Sequence, residues 1–306
     1  VFTSPDRAAR IAAMTDTPIP VCQAADPAPR APGFAVPAGA TDCHFHVFGP
    51  ADRFPYTPNR TYTPPDHPAD AYRHLIDTLG VTRCVTVHPS VYGTDNAITE
   101  WLLEEAAGWS GLAMRGVAVL DAGIDDAALR RLDRLGVRGV RFNLLYKGGP
   151  PAAEIRAMAG RIADMGWHIQ FLVDVSTFDL ACYGELPVEI VVDHMGHMDP
   201  AKGLDEPGFP TLLDLLRGGR TWVKLSGAYR STNLQAPPYS DVVPIAQALA
   251  QAAPERCVWG TDWPHPFVHI PMPNDGDLMD ELAVWVPDEA RRHAILVDNP
   301  ARLYGF

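Results

Sequence analysis

The run Thr41-Asp42-Cys43-His44-Phe45-His46-Val47-Phe48 is short, apolar and β-prone, and it carries two histidines two residues apart. Side chains alternate across a strand, so His44 and His46 share a face. Two imidazoles on one face can hold a metal ion, polarise a carbonyl or move a proton. Taken alone, such a pair reads as two polar residues on a half-exposed strand.

Further apolar runs end on residues of the same chemical kind. One ends His88-Pro89-Ser90, one carries Arg141 and Asn143, and one runs Val192-Asp193-His194-Met195-Gly196. A later pair runs Lys224-Leu225-Ser226-Gly227-Ala228-Tyr229-Arg230 and Gly260-Thr261-Asp262-Trp263-Pro264-His265. His44, His46, His194 and Asp262 would converge if these runs end at one mouth. Three imidazoles and a carboxylate make a sound mononuclear zinc set with room for water. Without metal, the imidazoles could donate hydrogen bonds to an oxyanion. Strand alternation turns Asp193 away from His194, towards a structural hydrogen-bonding role. His168, at the start of a run, reads as packing or surface. Lys224 could equally face solvent between helices. His67, His74 and His293 read as surface residues, and His269 carries no signal.

The elements that must position these residues follow a rhythm. Apolar, β-branched runs recur at 40–48, 83–90, 114–120, 137–145, 168–174, 188–195, 221–228 and 257–262. Stretches with helical spacing lie between them: Ala69–Leu79, Asn96–Ala107, Asp125–Leu135, Ala152–Met165 and Asp241–Ala252. Gly80, Gly136 and Gly166 stand where such helices should stop. Alternating strands and helices at this chain length predict a (β/α)8 TIM barrel, whose chemistry collects at the C-terminal strand ends. An open doubly wound sheet would show a glycine-rich loop after its first strand; here that strand leads into His46-Val47-Phe48-Gly49-Pro50. Residues 1–39, rich in Pro and Ala, read as an N-terminal arm that covers the barrel floor or a neighbouring chain. Residues 40–306 read as the catalytic barrel. Met14 reads as a candidate natural start.

Composition narrows the function. The 306 residues are 47% hydrophobic with a net charge of −12, which argues against a nucleic-acid partner. No apolar run reaches membrane-spanning length, and no secretory signal is evident. Five scattered cysteines, Cys22, Cys43, Cys84, Cys182 and Cys257, suggest free thiols in a reducing cytoplasm rather than disulfides. A diffuse acidic surface is compatible with an anionic small substrate where local arginines outweigh it.

Together, His44-Phe45-His46, Asp193-His194-Met195-Gly196, Gly139-Val140-Arg141-Phe142-Asn143, Gly260-Thr261-Asp262-Trp263-Pro264-His265 and the terminal Asn299-Pro300-Ala301-Arg302-Leu303-Tyr304 resemble the amidohydrolase superfamily. The similarity is to its branch of pyrone-dicarboxylate, sulfomuconolactone and sugar-acid lactonases, from about residue 38 to the end. The resemblance implies hydrolysis of an acidic lactone in aromatic catabolism, with Asp262 as the base and His44, His46 and His194 as carbonyl polarisers, directly or through one zinc. The absence of a lysine beside Arg141 and Asn143 speaks against a binuclear site. Arg141 and Arg230 would grip the acidic group, with Tyr62, Ser90, Tyr92, Asn143 and His265 around the substrate. The chain departs from the pyrone-lactonase pattern at Lys147 and His197, where that pattern has arginines, and within Gln170-Phe171-Leu172, where it has a tyrosine. Fewer bidentate anchors suit a substrate with one acidic group. Ser226-Gly227-Ala228-Tyr229-Arg230 also looks closer to the sulfomuconolactone side. A lactone isomerase or a sugar-acid lactonase on the same barrel is the alternative; a decarboxylase or a non-catalytic binding protein fits less well.

Overall fold

The computed structural model describes residues 18–306; Met14 lies outside the described residues. Eight parallel strands pair in sequence order. They are β1 (Thr41–Phe45), β2 (Arg83–Val87), β3 (Ala113–Ala118), β4 (Val137–Asn143), β5 (His168–Leu172), β6 (Ile190–Val192), β7 (Thr221–Leu225) and β8 (Cys257–Trp259). The helices are α1 (Ala69–Leu79), α2 (Ala97–Ala106), α3 (Asp126–Leu135), α4 (Ile155–Ile162), α5 (Gly208–Arg217), α6 (Ala228–Ser231), α7 (Val243–Ala252), α8 (Asp275–Trp285), α9 (Glu289–His293) and α10 (Asn299–Tyr304). The ring closes where β1 meets the segment after β8: Asp262 N donates to His44 O at 2.7 Å, and His46 N donates to Trp263 O at 2.8 Å. The architecture is the expected (β/α)8 barrel.

The pattern of apolar residues explains the layers. In α1, Tyr72, Leu75, Ile76 and Leu79 are buried at helical spacing, and Gly80 ends the helix at φ +76° with its N–H on Ile76 O. Alternate strand residues, such as Cys84, Val140, Ile169 and Val223, pack outward among the helices. Inside the barrel lie Cys43, Val85, Val117, Val191, Trp222 and Val258, and α10 sends Leu303 and Tyr304 against them. The barrel is a filled core with its lower end closed by α10.

The described part of the N-terminal segment lies elsewhere. Cys22 N donates to Thr63 O, Thr63 N donates to Pro20 O, and Arg30 pairs with Asp277 and Asp280 at 2.6 Å. These partners belong to the loop after β1 and to α8, which follows the loop after β8. The earlier part of the segment straps the mouth, and the rest descends, with Val36 beside Gly80 and Gly39 beside Arg83, to the start of β1. His67, expected at the surface, is buried beneath this strap: its Nε2 accepts from Ala25 N at 3.0 Å.

Tyr304 is fully buried. Tyr304→Ala should cost about 3–5 kcal/mol, the usual loss for emptying an aromatic core site. Denaturant unfolding checks this, and an unchanged midpoint would show that α10 does not close the core.

Candidate active site

A bulge in β1 aims the histidines. Asp42 pairs with Cys84 and Phe45 with Thr86, so Cys43 and His44 together oppose Val85. Asp42 turns outward and ties the seam, accepting from His44 N, Thr261 N, Thr261 Oγ1 and Tyr72 Oη. Burial pushes its carboxyl up to about 6. His44 and His46 face inward, each with Nε2 3.7 Å from Asp262 Oδ1. His194 Nε2 lies 3.6 Å from Asp262 Oδ2. The structure therefore brings the four residues together in a buried cluster.

Bare backbone makes the room. A Cβ on Gly260 would sit 2.7 Å from His44 N. A Cβ on Gly227, at φ +65°, would sit 2.9 Å from His194 Nδ1.

Asp193 departs from the strand rule. β6 ends at Val192, and His194 adopts φ +50°. Alternation has stopped by then, so Asp193 and His194 both turn inward. Asp193 Oδ2 accepts from Arg141 Nε at 2.9 Å and from Gln170 Nε2 at 3.1 Å. Its Oδ1 lies 3.3 Å from His44 Nδ1 and 3.4 Å from Lys224 Nζ. Lys224 is wholly buried in the barrel, not between helices. Burial opposes the Asp193 charge, but Lys224, His44 and Arg141 hold its carboxyl well below the usual range. His44, Asp193 and His194 also offer three ligand atoms within reach of one another. The two cations already on Asp193 make that set a poor place for a third.

Asp262 is similarly answered. Its Oδ2 takes Tyr229 Oη and Arg230 Nε, both at 2.5 Å. Burial acts to raise its pKa; Arg230, His194 and His44 together outweigh burial and hold it well below the usual range. Its Oδ1 and His44 Nε2 are both buried without a hydrogen-bond partner among the described residues.

The histidines are neutral here. Burial, then Lys224, lowers His44 to about 4, and burial puts His46 and His194 well below 6.5. His46 Nδ1 lies 2.6 Å from Val87 O. A carbonyl only accepts, so Nδ1 carries the proton and Nε2 presents a lone pair. That atom suits a cation and cannot donate to an oxyanion. Metal-binding histidines are held in this same way through their second nitrogen. His44, His46 and Asp262 offer ligand atoms within 4.8 Å of one another, so the donor set fits one zinc ion, with His194 beside it.

The remaining sequence candidates divide. Tyr62 joins Tyr146 and Phe267 in a cluster of rings 5.5–6.1 Å apart. Arg141 reaches the site with its terminal nitrogens not bonded among the described residues, since only Nε is used. His197 is buried, its ring 5.5 Å from that of His194. Ser90 is buried after β2. Asn143 Oδ1 instead braces the loop carrying Tyr146, accepting from Leu145 N and Tyr146 N. Tyr92 Oη accepts from Gly49 N, and Lys147 is exposed. His265 is fully buried behind Tyr229 and Asp275, so the packing keeps it from a substrate. Tyr146, Phe267, Tyr229 and Asp275 were not singled out from the sequence. For Tyr229 the signal was its place one residue before Arg230; the others sit in loops or a helix start where spacing carries no signal.

A family model for amidohydrolases matches residues 41–306. The chain belongs to the amidohydrolase family. It is 41% identical over 296 residues to a 4-sulfomuconolactone hydrolase of Rhizobium radiobacter, covering 94% of this chain and 97% of that one. It is 40% identical over 290 residues to a 2-pyrone-4,6-dicarboxylate hydrolase of Comamonas testosteroni, covering 90% and 93%. A D-galactarolactone isomerase of Agrobacterium fabrum shares 32% over 281 residues, covering 90% and 94%. Among solved structures, an Agrobacterium tumefaciens protein in its apo form superposes with a TM-score of 0.80 at 31% identity, covering 90% of this chain and 98% of that one.

The histidine shifts predict acid sensitivity in metal-free protein. Unfolded His44 binds a proton near pH 6.5, whereas the folded residue does so only near about 4. The unfolded state thus binds more protons between these values, and stability falls as pH drops through that window. Melting temperatures of chelator-treated protein should decline from pH 7 to pH 4; a flat profile would contradict neutral, buried histidines.

Proposed function

We propose that this amidohydrolase opens the ring ester of a lactone bearing one acidic group, of the sulfomuconolactone type. The observation that carries the reading is the asymmetry of Asp262. One carboxylate oxygen is tied to Arg230 and Tyr229, while the other faces His44 and His46 unbonded. An ionised carboxylate presented in this way can take a proton from water. Around it, the buried carboxylates are answered by buried cations, Asp193 by Arg141 and Lys224 and Asp262 by Arg230. Arg141 spends only Nε on the protein and can grip a sulfonate or carboxylate of the substrate with its terminal nitrogens. The rings of Tyr62, Tyr146 and Phe267 offer apolar walls to a flat lactone. The hydrolase relatives support the same substrate class.

One zinc ion held by His44, His46 and Asp262, with His194 alongside, would polarise the ester carbonyl and acidify water. Asp262 Oδ1 takes a proton as the water oxygen bonds to the carbonyl carbon. The ring C–O bond then breaks, and Asp262 returns that proton to the departing ring oxygen. Arg141 orients the ring through its acidic group, and the aromatic walls exclude bulk water.

The test is a panel of 4-sulfomuconolactone, 2-pyrone-4,6-dicarboxylate and D-galactarolactone, with products weighed by mass spectrometry. A sulfonated muconolactone should gain one water. An isomeric product without added water would favour the isomerase alternative that the Agrobacterium fabrum relative suggests. Asp262→Asn should lower kcat about 10²–10⁴-fold, the usual loss of a general base; near-normal turnover would remove Asp262 from the chemistry. Arg141→Lys should chiefly raise KM, because a fork becomes a point charge. An unchanged KM would take Arg141 out of the substrate contact.

A further inference from the structure

A row of side chains stands behind Asp262 that no step above uses. Tyr229 Oη donates to Asp262 Oδ2 at 2.5 Å. His265 Nδ1 lies 3.1 Å from the same phenol oxygen. On its far side, His265 Nε2 lies 3.1 Å from Asp275 Oδ1 without the alignment of a hydrogen bond. All three residues are buried, and they come from separate places: α6, the turn after β8, and the first residue of α8. The His265 ring stands edge-on to Tyr229, centroids 5.1 Å apart at 84°.

We propose that His265 is a positioning residue for Asp262. His265 fixes the Tyr229 hydroxyl, and Tyr229 holds Asp262 Oδ2 back so that Oδ1 alone faces His44 and His46. The proposal rests on the reading of Asp262 as the base.

A carboxylate has two equivalent oxygens and a soft terminal torsion. Without a fixed partner on one oxygen, either could swing into the site or bridge to a neighbour. Arg230 supplies one tie to Oδ2 and is itself anchored on Pro266 O. Tyr229 supplies the second, uncharged tie. A phenol hydroxyl can flip between two orientations, so a second contact is needed to hold it. His265 provides that contact through Nδ1. Outer partners of this kind typically matter about 10–100-fold for activity.

The test compares Tyr229→Phe, His265→Ala, His265→Asn and the Tyr229→Phe/His265→Ala double variant on the anionic lactone that the wild type turns over. Thermal melts first show which variants fold. His265→Ala should lower kcat about 10–100-fold with KM unchanged, since His265 touches no substrate. His265→Asn should recover most of that loss, because its amide reaches the place of Nδ1. The double variant should be no worse than the worse single one, as expected for residues acting in series. If His265→Ala does not fold, Tyr229→Phe and His265→Asn carry the same comparison. A raised KM with kcat kept would make His265 a substrate contact and overturn the proposal. Unchanged kcat in Tyr229→Phe and His265→Ala, or additive losses, would overturn it as well.

Failure of the functional reading is separable. If the wild type opens no lactone, proton NMR still reads the row. A downfield imidazole N–H should be present in the wild type, absent in His265→Asn and displaced in Tyr229→Phe. A signal that Tyr229→Phe leaves in place would overturn the proposal without any activity measurement.

Discussion

A carboxylate sealed from water must be answered by charge or hydrogen bonds, or it will not stay ionised. Asp262 meets that demand with Arg230 and Tyr229 on one oxygen, beside His194, and leaves the other facing His44 and His46. Much of the mouth follows from this. The β1–β8 seam sets the distance, because Asp262 N bonds His44 O. Gly227 and Gly260 remove the Cβ atoms that would crowd His194 and His44. Asp42 locks the outer side of the same seam through Thr261 and Tyr72.

A second buried carboxylate supports the first from below. Asp193 gathers Arg141 and Lys224, and it stands beside His44 Nδ1. Removing one member of such a set strands charge in the core, which costs several kcal/mol. The barrel interior thus has two levels: an apolar floor plugged by Tyr304, and above it a layer of paired charges in which the terminal nitrogens of Arg141 are left for an anion. The acidic exterior, summed in the net charge of −12, is too distant and too well screened to cancel that local attraction.

The barrel was legible because strand and helix periods alternate cleanly. The helix expected at Ala69–Leu79 spans those residues, and that expected at Asp125–Leu135 begins at Asp126. His44 and His46 were legible because alternation holds through the end of β1 even with its bulge. Asp193 has the hydrogen-bonding role expected of it, but its direction was misread because alternation was carried past the end of β6 to the edge of a left-handed turn, where it has no force. Lys224 was ambiguous because a lone lysine in a strand shows no partner in the sequence; its carboxylate is Asp193, 31 residues earlier in the chain. His67 looked exposed because the strap that covers it comes from residues 18–39, which have no periodicity. His265 looked like a pocket residue because it ends the same motif as Asp262. Only the fold shows that the turn between them sends one side chain into the site and the other behind it.

The account turns on His46, whose proton is committed to Val87 O, leaving an atom that can bind a cation but cannot donate. Elemental analysis of freshly purified protein, paired with activity before and after chelation, tests this most directly. About one zinc per chain, with activity lost on chelation and restored by zinc, is the predicted result. Metal-free protein with full activity would contradict it and would require the histidines to act on the carbonyl themselves.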